Sequence, residues 1–132
     1  MAGRGPAPKA ERSRPNDTAR RKAEFTKVAD DGEVRGPELP EMDWHPRTVA
    51  WYETWRRSPM AQTFLDADWD FLIDTALLHT EMWNGSPGLA AEIRLRVGKL
   101  AGTPEDRVRL RLEVETEAKQ LSTVTPMTED RR

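Results

Sequence analysis

The sequence predicts a mainly α fold, a small domain of about four helices set between a basic N-terminal arm and a polar tail. Three observations carry this. Prolines stand where helices begin, at Pro46, Ser58-Pro59, Ser86-Pro87 and Thr103-Pro104, and proline suits the first helical turn because its missing N–H would be unsatisfied there anyway. Between these starts, apolar residues recur at helical spacing. Outside them, residues 1–43 and 119–132 are rich in Gly, Pro, Ser and Thr, with little apolar surface to offset the entropy of ordering them. The expected division is therefore a flexible basic arm and linker over 1–43, a helical oligomerisation domain over 44–118 and a disordered tail over 119–132.

A chain of 132 residues suffices for one modest core and not two. Charged residues at 33% against 36% hydrophobic place it between a globular domain and a disordered chain, so a mixture of the two is expected. There is no cysteine, which excludes disulfides, thiolate metal sites and a cysteine nucleophile. No apolar run approaches the roughly 20 residues of a membrane span, and a soluble intracellular protein is expected. The net charge of −2 is segregated: residues 1–27 hold eight Lys/Arg against three Asp/Glu, a net +5, which leaves −7 on residues 28–132. Any contact with a polyanion is expected to start at the arm, through phosphate contacts and counterion release.

Taken in order, residues 16–29 suit a transient helix capped by Asn16 or Asp17, with Ala19, Ala23, Phe25 and Val28 as weak apolar positions. A first stable helix is expected over 46–57, with Thr48, Trp51 and Trp55 on one side. Ser58-Pro59 starts a short helix to about Phe64, and Asp66 is expected to cap the longest helix, 66–83. There Trp69, Ile73, Ala76, Leu77 and Trp83 share one face while Phe71, Leu78 and Met82 lie nearly opposite, with Asp70, Asp74 and Glu81 between. A helix apolar on two sides is expected to pack inside its own subunit and against a neighbour, through Phe71, Leu78 and Met82. Leu89, Ile93, Val97 and Leu100 align a third face ending at Gly102. Thr103-Pro104-Glu105-Asp106 caps a fourth helix. The strict alternation of residues 107–115 favours a strand instead, so helix is expected at the start and 112–118 stay open. A single C-terminal strand there would lack a partner in its own chain and is expected to pair between subunits.

No GxxxxGK[ST] phosphate loop, paired-histidine zinc motif or recognisable Ser/Cys nucleophile is present, and neither metal nor cofactor is expected. His45 and His79 are the only histidines. His79 near Glu81 has the makings of a general base, but a lone histidine on an amphipathic helix more often packs, partly exposed. Asp66, Asp70 and Asp74 are spaced to share a Mg²⁺ ion, or else form a solvated stripe that favours the helix N-terminus; the second reading is preferred. The five tryptophans suit core positions better than base stacking. The arm residues Arg4, Lys9, Arg12, Arg14, Arg20, Arg21, Lys22 and Lys27 are the candidate DNA contacts, against the alternative that they solubilise a tail.

The segments Gly3-Arg4-Gly5-Pro6-Ala7-Pro8-Lys9, Asp31-Gly32-Glu33-Val34-Arg35-Gly36-Pro37-Glu38-Leu39-Pro40 and Trp51-Tyr52-Glu53-Thr54-Trp55-Arg56-Arg57-Ser58-Pro59 resemble small terminase subunits of actinobacterial phages and prophages. Asp68-Trp69-Asp70-Phe71-Leu72, Ala91-Glu92-Ile93-Arg94-Leu95-Arg96 and Thr103-Pro104-Glu105-Asp106-Arg107 follow in the expected order, so the resemblance covers nearly the whole chain. It implies a helical protein that forms a homo-oligomeric ring in the host cytoplasm. It also implies recognition of viral double-stranded DNA at the packaging-initiation region and its transfer to the large terminase subunit, which carries the ATPase and nuclease. Two rivals share these features: a DNA-binding transcriptional regulator, which should show a compact helix-turn-helix, and a phage head-assembly protein without a DNA site.

Overall fold

The computed structural model describes Gly3 and residues 24–116. The order is β1 (Thr26–Ala29), α1 (Pro46–Arg57), a 3-10 turn (Pro59–Thr63), α2 (Asp66–Trp83), a second 3-10 turn (Pro87–Leu89), α3 (Ala90–Lys99), α4 (Pro104–Arg109) and β2 (Leu112–Glu115). The mainly helical expectation holds. The expected tail over 119–132, and most of the transient helix over 16–29, lie outside the described residues.

Helix α1 starts where Pro46 predicts, and His45 Nδ1 caps it by accepting from Arg47 N at 3.0 Å. Its buried residues are Thr48, Tyr52 and Trp55, while Trp51 is half-buried. The stripe is centred on Tyr52, and the sequence reading missed it. A tyrosine goes fully inside only if its hydroxyl finds an acceptor. The Tyr52 hydroxyl donates to the Pro37 carbonyl at 2.6 Å, which brings the preceding segment over the helix. Residues 35–37 are tied down further, because Arg56 Nε donates to the Arg35 carbonyl at 3.1 Å and Arg35 N donates back to the Arg56 carbonyl at 2.9 Å. Leu39 packs against the core cluster of Tyr52, Trp55, Ala61, Trp69, Leu72 and Leu100. The segment assigned on sequence to a linker is therefore part of the packed unit.

Helix α2 spans the expected residues, but its cap comes from Asp68, whose Oδ2 accepts from Leu65 N at 2.9 Å; Asp66 lies inside the first turn. The buried face is Trp69, Leu72, Thr75, Ala76 and His79. Leu77 and Trp83, expected on it, are 42% and 45% exposed. The helix is central to the subunit: it packs on α1 and also on the 3-10 turn at 87–89 and α3. Phe71 packs against the core, and the Arg96 guanidinium of α3 lies 5.6 Å from its ring. Phe71 thus contributes to its own subunit while staying half-buried, as Leu78 and Met82 do.

Helix α3 ends in a left-handed residue, and that residue is Ala101, with φ of 66°, rather than Gly102. Gly102 N closes the turn on the Val97 carbonyl at 2.9 Å. Helix α4 opens on the predicted reciprocal cap, with Asp106 N donating to Thr103 Oγ1 and Thr103 N to Asp106 Oδ2, both at 3.2 Å. It stops at Arg109, Arg111 takes φ of 57°, and β2 follows. The alternating stretch therefore splits, the cap deciding its first half and sheet pairing its second.

The expectation that this strand pairs between subunits is corrected: β2 runs parallel to β1 of the same chain, with Thr26 beside Leu112, Lys27 beside Glu113, Val28 beside Val114 and Ala29 beside Glu115. Val28 is buried. Parallel strands need a long crossover, and here the crossover is the whole helical domain, so nothing local in the sequence marks the two as partners.

Gly36 supplies the sharpest local test. Its φ is +77°, and a Cβ there would lie 2.4 Å from the Trp69 ring. Gly36→Ala combines a left-handed backbone with overpacking and is expected to lower the unfolding free energy by about 2–4 kcal/mol, measured by urea titration.

Candidate nucleic-acid interface

Of the eight arm cations, Arg4, Lys9, Arg12, Arg14, Arg20, Arg21 and Lys22 lie outside the described residues; Lys27 is placed, exposed on β1. Its register position beside Glu113 offsets its charge and makes it a poorer phosphate contact than an unopposed cation.

The folded body carries a second basic series on α3, α4 and the turn after it, and most of it is engaged. Arg96 Nε meets Glu92 at 3.0 Å, and Arg111 pairs with Glu24. Arg107 donates to the Ala101 carbonyl at 3.1 Å, and Arg109 donates to the Gly98 carbonyl at 2.8 Å and to Asp106 at 3.3 Å. Exposed ion pairs of this kind add little stability. The carbonyl bonds matter more, since a helix end leaves acceptors short of intrahelical donors, and two arginines from α4 donate to carbonyls at the end of α3 and in the turn after it. Sequence reasoning missed this role, although basic residues placed just past a helix end are its signal. Arg94 and Lys99 are exposed on α3 without such a bond among the described residues.

The aromatic residues offer no open stacking platform. Trp55 and Trp69 are buried, Trp51 stacks on His79 with centroids 4.5 Å apart, and Trp44 donates its indole N–H to the Pro40 carbonyl at 2.7 Å. Trp83 exposes 45% of its surface, but His45 stacks on it at 5.6 Å and the Arg47 guanidinium lies 4.9 Å from its centroid.

Asp66, Asp70 and Asp74 are all exposed along α2, and no group of three or more His, Cys, Asp or Glu among the described residues is arranged to hold a metal. No helix of the described residues is long and apolar enough to cross a membrane. Leu78 and Met82, expected with Phe71 at a subunit contact, are half-buried.

A family model described as phage terminase small subunit matches residues 3–132. The chain belongs to that family. No curated protein and no solved structure gives a match. Membership places this terminase small subunit in phage DNA packaging, and the matched stretch takes in the basic arm as well as the helices.

His79 is more deeply placed than expected for this terminase small subunit: it is 7% exposed, with Nδ1 2.7 Å from the Thr48 hydroxyl. Burial lowers its pKa, and the positive fields of His45 and Arg47 lower it further. Its position between α1 and α2, with no carboxylate acting on it, suits a packing group rather than a general base. The folded protein favours neutral His79, so the stability contribution is complete above the ordinary histidine pKa of about 6.5 and is lost as pH falls towards the lower folded value. Urea midpoints are expected to be level above that pKa and to decline below it. In His79→Gln the decline should be shallower and the stability at neutral pH lower.

Proposed function

We propose that this terminase small subunit recognises viral double-stranded DNA at the packaging-initiation site and presents it to the large terminase subunit in the host cytoplasm, acting as a ring-shaped homo-oligomer. The observation that carries the reading is the family match over residues 3–132, which includes the segment of net +5 on an otherwise acidic chain. Binding along the phosphate backbone fits such a segment, because each Lys or Arg that neutralises a phosphate releases counterions whatever the base sequence. The engagement of Arg96, Arg107, Arg109 and Arg111 within the fold favours the arm over the helices as the main source of affinity. Contact between copies is assigned to Phe71, Leu78 and Met82, each half-buried on α2.

Because β1 begins at Thr26, the informative truncation stops short of it. Deleting residues 1–22 is expected to weaken DNA binding and to leave the native mass of the assembly unchanged. The plot of log affinity against log salt should flatten by about 0.9 for each phosphate that the arm no longer neutralises. Arg94→Ala with Lys99→Ala should have the smaller effect. Unchanged affinity and salt slope in the truncated protein would move the DNA site to the helices.

The proposed role is non-catalytic and needs no cofactor. Purified protein is expected neither to hydrolyse ATP nor to cut DNA in Mg²⁺. Mg²⁺-dependent cleavage that disappears in Asp70→Asn would show that the acidic stripe on α2 is a nuclease site after all.

A further inference from the structure

We infer that copies of this chain join head to tail, the outward face of α2 in one copy packing against the outward face of α3 in the next. The inference rests on the ring-shaped oligomer proposed above and names the surface that meets α2 there.

The two faces are built alike, with opposite charge. On α2, Asp70, Asp74, Leu77 and Glu81 recur at i, i+4, i+7 and i+11, the spacing of a single helix face. All four are exposed, Leu77 at 42%, and none of the three carboxylates is in an ion pair among the described residues. The half-buried Leu78 borders the same row. On α3, Arg94, Leu95 and Lys99 are exposed, Leu95 at 59%. Arg94 and Lys99 are also outside any ion pair among the described residues. These three residues wall a groove of about 830 Å³ between α3 and α4, where Asp106 is paired with Arg109 and Glu105 is the acid left to oppose them. Helix α3 covers α2 on another side, with Arg96 over Phe71, so the two outward faces are separate surfaces.

An exposed leucine beside charges of one sign selects the occupant. Residues 1–23 bring cations to α2 but contain no Leu, Ile, Val, Phe, Trp or Tyr, and so leave Leu77 in water. A phosphate backbone satisfies Arg94 and Lys99 but leaves Leu95 against a polyanion. Residues 117–132 hold three Lys/Arg and three Asp/Glu, so charge directs them to neither face. Like faces brought together, α2 on α2 or α3 on α3, oppose equal charges. Unlike faces pair the charges and cover both leucines. With Leu77 against Leu95, Lys99 one turn on reaches a carboxylate whichever way the helices run, because Glu81 follows Leu77 by four residues and Asp74 precedes it by three. A contact between unlike faces is heterologous, and its repetition generates a ring when the rotation closes.

The test uses the full-length protein, with native mass followed through a dilution series. Reversing the acids in Asp74→Lys with Glu81→Lys, or the bases in Arg94→Glu with Lys99→Glu, is expected to weaken association at least about tenfold. Mixing the two variants is expected to restore it, because each α2 then meets an α3 of opposite sign. The chain that carries all four changes should associate for the same reason, and recovery in either case shows that the reversed proteins are folded. Leu95→Asp, which keeps Arg94 and Lys99, should weaken association as well. Weakening that neither the mixture nor the fourfold variant relieves would overturn the inference and leave the ring reading intact. So would association that ignores both reversals, or that is unchanged in Leu95→Asp. Loss of association on deleting residues 1–22 would overturn it in favour of the arm as the occupant of α2. A monomeric wild type would overturn the ring reading and the inference together.

Discussion

A phenol ring cannot be buried with an idle hydroxyl, and most of the described structure follows from how Tyr52 meets that constraint. Its ring is completely enclosed, and its hydroxyl donates to the Pro37 carbonyl. Burial pushes its pKa up to about 12, so it stays a neutral donor. The bond requires residues 35–37 to cross α1, the crossing requires Gly36 to pass flat over Trp69, and Arg56 holds the strap by bonds to the Arg35 and Gly36 carbonyls. Trp69 in turn meets Tyr52 edge to face at 6.1 Å and Phe64 at 5.2 Å. One satisfied hydroxyl therefore joins the strap, α1, the 3-10 turn and α2.

The strand pair is the other long-range tie. By joining the residues just after the basic arm to those just before the tail, it brings the two ends of the domain together across the helices, and the Arg111–Glu24 ion pair spans the same junction. Closing so long a loop costs entropy that grows only slowly with length, so a short ladder with Val28 buried beneath it is enough. As a consequence residues 24–25, which follow the basic segment, enter the fold beside acidic β2.

Charge follows the same division of labour. Net charge describes the field felt at a distance, but the fate of each cation is decided by its nearest acceptors. Arg107 and Arg109 complete the end of α3, Arg56 holds the strap and Arg35 pairs with Asp31. The surplus that remains for a polyanion is concentrated in the arm.

Most helix limits set by near neighbours along the chain were legible in the sequence. Pro46, Ser58-Pro59, Asp66 to Trp83 and the Thr103–Asp106 cap marked helix limits that the structure keeps, because caps and first-turn prolines act within one turn of helix. The resemblance that identified the family also lay in short ordered segments. What the sequence did not disclose has its partner far away. Tyr52 gave no sign of outranking Trp51 until Pro37 supplied an acceptor. Residues 26–29 became a strand through Leu112–Glu115. Phe71, on the second apolar side of α2, found the core and the Arg96 guanidinium of α3. Periodicity records that a side chain avoids water, but which surface relieves it is decided only when distant elements pack.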